Sequence, residues 1–386
     1  MHVVATPSPR VEMCRDEDVR AIMRFLHDSW APNHVLSRDE ALFRWQYEGA
    51  LRDGRDDAPP TVLIARSGDR IIGMLGLTYM RWQQAGSTYR GAWTSHWFVA
   101  PEFRRSPLSM RLIRRAGQLG AEVIGSVGIN DVAMKLLPNF GYEAIDEIPR
   151  WVAVIDPVKT ATLILATRTD LSEEAEVRRS CQERSAPRHD RHRMTNCVVS
   201  EWTDDDANGW DTAWERSISR DFTGVVRDSA YLRWRYLRHP TFRYRVLITR
   251  DSKSGEVSGI AVSRLETVQD RTEQVLRLVE LLATDRSASD SLLVRLVSDA
   301  WDAGVTFADF YCTKPVEGLA EAGFHIEQLR TTLFPIPVRF QPLEAGGRPL
   351  NAALRLPSTL RGTLLEQLSQ DALYVTKSDG DQDRPN

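Results

Sequence analysis

The pentapeptide FRWQY occupies residues 43–47, and a near copy, LRWRY, follows 189 positions later at residues 232–236. Each copy keeps an arginine, a tryptophan and a tyrosine in the same order and at the same spacing. A single match of this length arises easily by chance. Its meaning therefore depends on whether the sequence that follows the two copies also agrees.

The two downstream segments predict the same elements in the same order. Two strands joined by a turn come first, because β-branched runs interrupted by glycine and aspartate are typical of hairpins. A third strand, an amphipathic helix with apolar residues spaced three and four apart, and a short fourth strand follow. The predicted elements are 62–65, 71–77, 93–99, 105–119 and 123–127 in the first segment, and 245–249, 257–262, 277–283, 289–303 and 307–311 in the second. Both series then close on a glycine–aromatic pair (Gly141-Tyr142 and Gly323-Phe324), so the ordered matches predict an internal duplication.

The predicted fold is a mixed-sheet α/β fold (α+β) built as two tandem domains. We expect a first domain at 1–158, a connecting segment at 159–198, a second domain at 199–340 and a C-terminal extension at 341–386. The connecting segment is dense in charged and polar residues and shows little periodicity, which predicts a solvated connector. The last ten residues are also polar, and we expect a frayed tail.

Composition limits the classes of partner and compartment. The chain has 386 residues, more than one typical domain, and its 50 basic and 53 acidic residues give a net charge of −3. No overall basic field therefore favours nucleic acid or an anionic membrane. The first ten residues lack the apolar core of a secretion signal. The four cysteines form no CxxC pair, which favours reduced thiols over disulfides or a zinc site. We predict a cytoplasmic protein with no nucleic-acid, membrane or metal partner.

A candidate phosphate site lies where the third predicted strand of the first half leads into a helix. Residues 97–109 read WFVAPEFRRSPLS. A loop that opens a helix offers unpaired backbone N–H groups and the positive end of the helix dipole to a pyrophosphate. Arg104 and Arg105 add side chains that form charge-assisted hydrogen bonds with phosphate. The stretch therefore predicts binding of a phosphorylated ligand.

This stretch resembles the acyl-CoA signature of the GNAT acyltransferase superfamily, and the order of elements in each half resembles the fold of that family. The resemblance implies acetyl-CoA or another acyl-CoA as co-substrate. The residues that it assigns to the cofactor are Phe98, Val99, Arg104, Arg105, Ser106, Leu108, Ser109 and Asn130. Asn130 would hydrogen-bond the pantetheine arm, although it also has the sequence context of a helix N-cap.

Two positions depart from the pattern of the family. Its phosphate turn is rich in glycine, whereas residues 104–109 contain none, and Pro107 removes one backbone donor. Leu137 stands where the family often has a tyrosine that protonates the departing thiolate. The resemblance therefore also admits a non-catalytic acyl-CoA sensor or scaffold.

Two residues are candidates for the chemistry. Attack of an amine on a thioester requires removal of a proton, and His96, in the third predicted strand, has a suitable side chain with an unperturbed pKa of about 6.5. A histidine satisfied within a strand core is the other interpretation. Glu280 occupies the aligned position in the second half, as a relic or a substrate contact. Strand alternation predicts that His96 and Ser95 face opposite sides of the sheet.

The second half is expected to have lost the cofactor. Residues 285–290, which align with the arginine turn, read DRSASD. The carboxylates of Asp285 and Asp290 would repel a pyrophosphate at this position. We therefore predict that acyl-CoA binds to the first half alone.

Tandem halves with one degenerate copy resemble the bacterial sugar N-acyltransferases. This resemblance implies transfer of an acyl group to a primary amine, with an amino sugar or a nucleotide-linked amino sugar of surface polysaccharide biosynthesis as acceptor. Mycothiol synthase and its relatives are an alternative with another small-molecule acceptor, in which the second half does the work. The sequence leaves the acceptor, the acyl chain length and the oligomeric state open.

Overall fold

The computed structural model describes residues 9–48, 59–84, 86–170, 172–188, 196–344, 347–360, 366 and 372–383. The strands are β1 (Arg10–Met13), β2 (Val62–Ser67), β3 (Arg70–Gln84), β4 (Ser87–Val99), β5 (Val123–Val127), β6 (Glu143–Ile145), β7 (Arg150–Val154), β8 (Cys197–Glu201), β9 (Thr223–Val225), β10 (Arg245–Asp251), β11 (Val257–Thr267), β12 (Gln274–Ala283), β13 (Phe307–Tyr311), β14 (His325–Ile326), β15 (Arg339–Phe340), β16 (Leu343–Glu344), β17 (Ala352–Arg355) and β18 (Leu373–Tyr374). The helices are α1 (Val19–Ser29), α2 (Val35–Arg38), α3 (Glu40–Glu48), α4 (Leu108–Ala116), α5 (Asp131–Leu136), α6 (Pro157–Ala166), α7 (Glu174–Glu183), α8 (Ala207–Ala213), α9 (Ser229–Leu232) and α10 (Arg286–Asp302).

Two mixed sheets, one in each half, carry the fold. Within these ranges the first sheet has the order β1-β2-β3-β4-β5-β17-β6, with β9 paired to β3 and β18 paired to β9. The second has the order β14-β7-β13-β12-β11-β10-β8, and β15 and β16 form a separate hairpin. The only parallel strand pairs in the part of the chain described are β4–β5, β12–β13 and β9–β18. The predicted mixed-sheet α/β fold with two related halves is confirmed.

Each sheet contains strands from outside its own half. In the first sheet β17, from the C-terminal extension, lies between β5 and β6 and is antiparallel to both. In the second sheet β7, from the first half, lies between β13 and β14 in the same way. The predicted boundary at residue 158 therefore falls after a strand of the second sheet, and the predicted extension contributes to the first. Sequence patterns identify strands, but the edge on which a strand pairs depends on the tertiary structure.

The repeated pentapeptides meet between the halves. The rings of Trp45 and Trp234 are stacked, with centroids 5.2 Å apart and planes inclined by 21°. The indole nitrogen of Trp45 also donates a hydrogen bond to the backbone carbonyl of Trp234, at 3.1 Å. Residues Arg233–Leu237 form a π-helical turn, whereas the first copy lies in α3. The tryptophans that revealed the duplication therefore also join the two copies.

The predicted connecting segment is largely structured where it is described. Val177 and Cys181 of α7 are fully buried, in one apolar cluster with residues of β7 and α6. Arg184 donates hydrogen bonds to Glu327 and to the carbonyl of Phe334, at 3.2 Å each. The expectation of a simple solvated connector is therefore wrong for this part of the segment. Residues 171 and 189–195 lie outside the described ranges.

The tail beyond Lys377 is buried rather than frayed. Ser378 and Asp379 are 1% exposed and Asp383 is 2% exposed. Their acidic side chains pair with Arg227 and Arg235 of the second half, which are themselves buried. A buried guanidinium requires a counter-charge, so these arginines hold the tail in the interior. Residues 384–386 lie outside the described ranges.

Candidate active site

A β-bulge in β4 sets the position of His96. Met74 pairs with Phe98 and Gly76 pairs with Ser95, so two residues of β4 lie opposite one of β3. His96 has a φ of 49°, in the left-handed region that side chains with a Cβ rarely adopt. A conformation of this kind persists only where the surrounding contacts hold it, and it is frequent at functional sites.

The bulge also overturns the predicted strand alternation. The hydroxyl of Tyr47 lies 2.7 Å from Nδ1 of His96 and 3.2 Å from Oγ of Ser95. Both β4 side chains therefore face the same helix, α3. The prediction that His96 and Ser95 point to opposite sides is wrong, because an extra residue in one strand breaks the period of two.

Four side chains surround the imidazole of His96, which is 7% exposed. On the Nδ1 side, the Tyr47 hydroxyl is joined by the carboxylate of Asp381, at 3.7 Å. On the other side, Nε2 lies 3.4 Å from Nε2 of His34, and the ring of Trp30 meets the imidazole edge-on. An imidazole next to a carboxylate and a second imidazole has the surroundings of a general base.

The helices of the first half position these partners. Trp30 follows α1, His34 precedes α2, and Tyr47 lies in the last turn of α3, all on the same side of the sheet. The ring of Tyr47 lies over Gly76 of β3, where a Cβ atom would come within 2.1 Å of the ring. Glycine at position 76 therefore allows the tyrosine to reach His96.

A wedge opens between β4 and β5 next to this cluster. The two strands pair in parallel from Gly91 and Val123 to Thr94 and Ser126. Beyond that point β4 continues to Val99 without a partner on this edge, whereas β5 ends. His96 lies near the apex of the wedge, two residues beyond Thr94, the last residue of β4 that pairs with β5.

The predicted phosphate turn lies at the far end of the same strand. Pro107 directly precedes α4 and forms no capping hydrogen bond with its side chain. The helix begins at Leu108, three residues later than predicted. The side chains of Arg104 and Arg105 are exposed and form no hydrogen bond or ion pair with any part of the chain that the structure describes. The hydroxyl of Ser106 already has a partner within the turn, because it donates a hydrogen bond to the carbonyl of Phe103. The same hydroxyl accepts a hydrogen bond from the backbone N–H of Leu108, at 3.3 Å, so the first N–H of α4 has a partner. The two arginine side chains are therefore the groups at this turn that are accessible to an anion.

The other residues assigned to the cofactor have structural contacts of their own. Leu108 and Val99 are buried in the core between α4 and the sheet. Phe98 stacks on Phe25 of α1, with ring centroids 4.9 Å apart. The backbone carbonyl of Ser109 accepts a hydrogen bond from the indole of Trp97. Val99, Leu108 and Phe98 thus build the walls of the loop.

Asn130 lies at the end of β5, opposite the phosphate turn across the wedge. Its Oδ1 accepts a hydrogen bond from the backbone N–H of Ala133, at 2.9 Å, so it caps α5. The N-cap interpretation is therefore correct as far as the oxygen is concerned. The amide Nδ2 makes no hydrogen bond within the described ranges and remains available for the pantetheine contact that the resemblance implies.

Sequence reasoning missed the contribution of the tail to this site. Gly380 packs against Val127, Asp381 approaches His96, and Gln382 packs against Gly128. The tail thus crosses the mouth of the wedge from β4 to β5. From the sequence, the polar tail was expected to be frayed. The neighbours of its aspartates in space, Arg227 and Arg235, are distant in sequence, so no local pattern revealed the contact.

Glu280 is far more enclosed than His96. The side chain is fully buried, and its Oε1 accepts hydrogen bonds from Arg227, Tyr236 and Ser378, at 2.7, 2.5 and 2.9 Å. Tyr236 corresponds to Tyr47 in the repeat, so the contact between this tyrosine and the strand recurs in both halves. The structure does not bring Glu280 and His96 into contact. Each touches a different part of the tail.

The wedge of the second half is filled by Tyr374 and Val375, which come just before the tail. β12 and β13 pair in parallel only as far as Leu278 and Phe310. Beyond that point the hydroxyl of Tyr374 accepts a hydrogen bond from the backbone N–H of Leu281, and the carbonyl of Val375 accepts one from Thr313. The adjoining helix α10 is capped by Asp285, which accepts from Ala288 at 2.9 Å. Both features that an acyl-CoA would need are therefore occupied by the chain itself.

A cavity of about 460 Å³ lies between the halves beside the end of β5. Among the residues assigned to the cofactor, Asn130 lines it, and neither Arg104, Arg105 nor His96 does so. Gln382 of the tail lines it as well, next in sequence to Asp381. The cavity is thus separated from His96 by this part of the tail.

Other kinds of site find little support. No group of three or more metal-ligating side chains occurs in the part of the chain that the structure covers. Across the same ranges, no helix combines the length and apolar character that a membrane span requires. Burial raises the pKa of the Cys14, Cys181 and Cys312 thiols, so none of these three is a ready nucleophile. The polar cluster around His96 remains the best candidate for chemistry.

Neither a family model nor a curated protein matches this chain. Several solved structures, in contrast, are similar to this chain. A GCN5-related N-acetyltransferase from Anabaena variabilis superposes with a TM-score of 0.58 at 10% identity, covering 90% of this chain and 73% of the other. A probable N-acyltransferase from Enterococcus faecalis gives 0.56 at 10% identity, with coverage of 83% and 70%. Yeast N-myristoyltransferase with bound myristoyl-CoA gives 0.51 at 11% identity, with coverage of 92% and 84%. The chain therefore has the fold of the GCN5-related N-acetyltransferases.

Proposed function

We propose that this protein is an acyl-CoA-dependent N-acyltransferase whose active site lies in the first half. One observation carries the proposal. The wedge between β4 and β5, whose mouth the tail crosses, has His96 near its apex and two exposed arginines before α4 at its far end. The matching wedge of the second half is filled by Tyr374 and its neighbours.

The cofactor would lie along β4. Its pyrophosphate would bind at the start of α4, where Arg104 and Arg105 supply charge and the helix supplies backbone N–H groups. Its pantetheine arm would follow the unpaired edge of β4, with Asn130 on the opposite side. The missing glycines restrict how closely this backbone can approach the phosphates, so the arginine side chains would carry more of the binding.

The chemical step follows from the position of His96. A neutral amine attacks the thioester carbonyl, the N–C bond forms, and the C–S bond breaks with departure of the CoA thiolate. His96 takes the proton from the attacking nitrogen, directly or through one water. Asp381, 3.7 Å away, stabilises the imidazolium that results. The imidazolium or water can then protonate the thiolate, whose pKa of about 8.5 makes it a tolerable leaving group.

This route needs no proton donor at position 137. Leu137 is 1% exposed and lies in the apolar cluster beneath α4 and β5. Its side chain has no proton to give. A proton that returns from His96 would replace the tyrosine of the related family. Glu280 has no role in this step, and we assign it to the buried ion cluster of the second half.

The acceptor class is a finer proposal. Following the resemblance of the tandem halves to bacterial sugar N-acyltransferases, we propose an amino sugar or a nucleotide-linked amino sugar, with a role in surface polysaccharide biosynthesis. The mycothiol-synthase-like alternative places the working site in the second half. The filled wedge and the capped α10 weigh against it.

Release of the CoA thiol tests the proposal. The protein is incubated with acetyl-CoA and with longer acyl-CoAs, with and without a panel of amino sugars, and free thiol is measured over time. We expect thiol release that depends on the amine. Tight acyl-CoA binding without amine-dependent release from any acceptor of the panel would favour the sensor or scaffold alternative.

A further inference from the structure

The cavity between the halves is strongly basic. Its lining includes five cationic side chains but only two carboxylates, Glu266 and Glu344. The cationic residues are Arg264, Arg277, Arg339, Arg348 and Lys377. Arg264, Arg277 and Lys377 lie deep in the cavity. The side chains of Arg264 and Arg277 are 5% and 3% exposed, and Lys377 is partly exposed. Arg339 pairs with Glu344 and Arg348 pairs with Asp131, so any uncompensated charge lies with the deeper cations.

The arginines are only partly neutralised. Arg277 pairs with Glu266 and Asp309. Arg264 shares Glu266 with Arg277, at 3.1 Å, and its buried Nε has no hydrogen-bond partner in the chain as described. Glu266 is thus shared by both guanidinium groups, and Arg264 in addition donates a hydrogen bond to the backbone carbonyl of Asp383. A buried donor without an acceptor costs free energy that a bound oxyanion would recover.

Lys377 is the least compensated of the cations. Its ammonium lies 5.1 Å from the centre of the Tyr311 ring and forms no hydrogen bond or ion pair within the described ranges. Burial, and then the nearby positive charge of Arg277, lower the pKa of Lys377 to about 7. The charged groups that act on it are Arg277, Arg150, Asp309 and Glu266. Asp309 and Glu266 raise this pKa from a distance, but neither forms an ion pair with the ammonium.

We propose that this cavity binds the anionic group of the amine acceptor, a carboxylate or a phosphate held by Lys377 and Arg264. The inference rests on the proposed function and deepens it by naming the charge that the acceptor carries. Gln382 lines the cavity, and the adjacent Asp381 contacts His96. An acceptor bound by its anion at Lys377 would therefore extend its amine past the tail towards the thioester.

The phosphates of the cofactor are the other source of an oxyanion. The predicted phosphate turn has its own arginines, Arg104 and Arg105, and neither lines the cavity. The two anion sites are thus served by different residues. Measurements that separate acceptor affinity from CoA affinity distinguish these sources.

The kinetic test uses matched primary amines of similar size: ethanolamine, O-phosphoethanolamine and β-alanine. For wild type, Lys377→Met and the control Lys159→Met, we would measure KM for each amine and Kd for CoA. Lys159 is an exposed lysine that bonds the carbonyl of Gly304. In Lys377→Met, the ratio of KM for the better anionic amine to KM for ethanolamine should rise at least about tenfold, as for loss of a charged hydrogen bond. Lys159→Met should leave this ratio as in the wild type.

Two kinetic outcomes overturn the inference. An unchanged KM ratio in Lys377→Met shows that the lysine does not bind the acceptor. A loss of CoA affinity in Lys377→Met, at an unchanged ratio, shows that the cavity serves the cofactor phosphates instead. Lys377→Arg keeps the charge and should restore the preference for the anionic amine, which separates charge from packing.

A binding measurement tests the cavity even if no amine is acylated. Inorganic sulfate keeps its charge across the relevant pH range, and calorimetry in buffers of different ionisation enthalpy reports protons taken up on binding. The pKa of free Lys377 is depressed, so an anion should bind with proton uptake, and affinity should fall by up to about tenfold per pH unit above pH ~7. Sulfate binding without proton uptake, or binding unaltered in Lys377→Met, contradicts the inference. Absence of turnover with intact sulfate binding contradicts the proposed function alone.

Discussion

The two halves of this protein share one scaffold and use its central wedge in opposite ways. In both, a tyrosine of the repeated pentapeptide contacts the third long strand, and that strand diverges from its parallel neighbour. In the first half the strand carries His96, and two exposed arginines precede the following helix. In the second half the strand carries buried Glu280, and Asp285 caps the helix. The chain itself thus fills the wedge of the second copy, and we propose that the wedge of the first copy binds the ligand.

The filled copy anchors the tail that completes the open one. Arg227 and Arg235 bind Asp379 and Asp383, the residues on either side of Asp381 in the alternating series. Burial raises the pKa of Asp379, although the neighbouring Arg227 opposes this shift. The ion pairs therefore fix the tail at two points and hold the carboxylate between them close to His96. The second half therefore contributes to the site of the first half by positioning Asp381, and not by supplying a reacting group.

The largest expected effect comes from His96→Asn. Asparagine tolerates a left-handed φ better than most residues, so the bulge should be kept while the base is lost. We expect kcat/KM to fall roughly 10²–10⁴-fold, with a changed acidic limb of the pH profile. Steady-state kinetics across pH measure this. A loss smaller than about tenfold with an unchanged profile would show that His96 is structural.

The matching change in the second half should affect stability instead. Glu280→Ala leaves Arg227 buried with Asp379 as its remaining carboxylate partner. Breaking a buried ion pair in this way should lower the free energy of unfolding by about 3–5 kcal/mol. Denaturant unfolding measures the loss. Glu280→Gln is the isosteric control: if this variant folds normally yet loses turnover, Glu280 takes part in the chemistry and the contrast between the halves fails.

Loss of the arginine pair should weaken the cofactor alone. We expect Arg104→Ala with Arg105→Ala to raise Kd for CoA by roughly 10–100-fold, since each removes a charge-assisted contact with phosphate. The control is Arg286→Ala at the corresponding helix of the second half, where the arginine already pairs with Asp290 and Glu321. Calorimetry should show no change in CoA affinity for that control. Equal losses in the two variants would indicate that both halves bind CoA.

Asp381→Asn is expected to have the smallest effect. The carboxylate lies 3.7 Å from the imidazole, so it stabilises the charged ring without a short hydrogen bond. We expect kcat to fall about tenfold with little change in KM for the amine, as for a group that acts on the base rather than on the substrate. A larger effect on KM than on kcat would place Asp381 in contact with the acceptor instead.

Much of the fold was predictable from the sequence because its signals are local. The predicted strands at 123–127 and 307–311 agree with β5 and β13, and the predicted helix at 289–303 overlaps nearly all of α10. Long strands were predicted too short. β3 and β4 continue well beyond their most apolar parts, as a long hairpin that pairs with itself. Cross-strand pairing, which no single segment encodes, extends them.

The candidate site was predictable only in part. His96 and the arginine pair stood out by residue type and position. The bulge did not, because one extra residue in a strand leaves no pattern in apolar spacing. Asp381, Lys377 and the strand exchange were missed for a common reason: each depends on contacts between residues far apart in the sequence. Charged residues near a chain end suggest a solvated tail until their partners are known.

A crystal structure of the protein with bound acetyl-CoA tests the central claim most directly. The account predicts one CoA per chain, with its pyrophosphate at Arg104 and Arg105 and its thioester between β4 and β5, within reach of His96. The wedge between β12 and β13 should remain filled by Tyr374. Density for CoA in that second wedge, or a pyrophosphate remote from the arginine pair, would contradict the account.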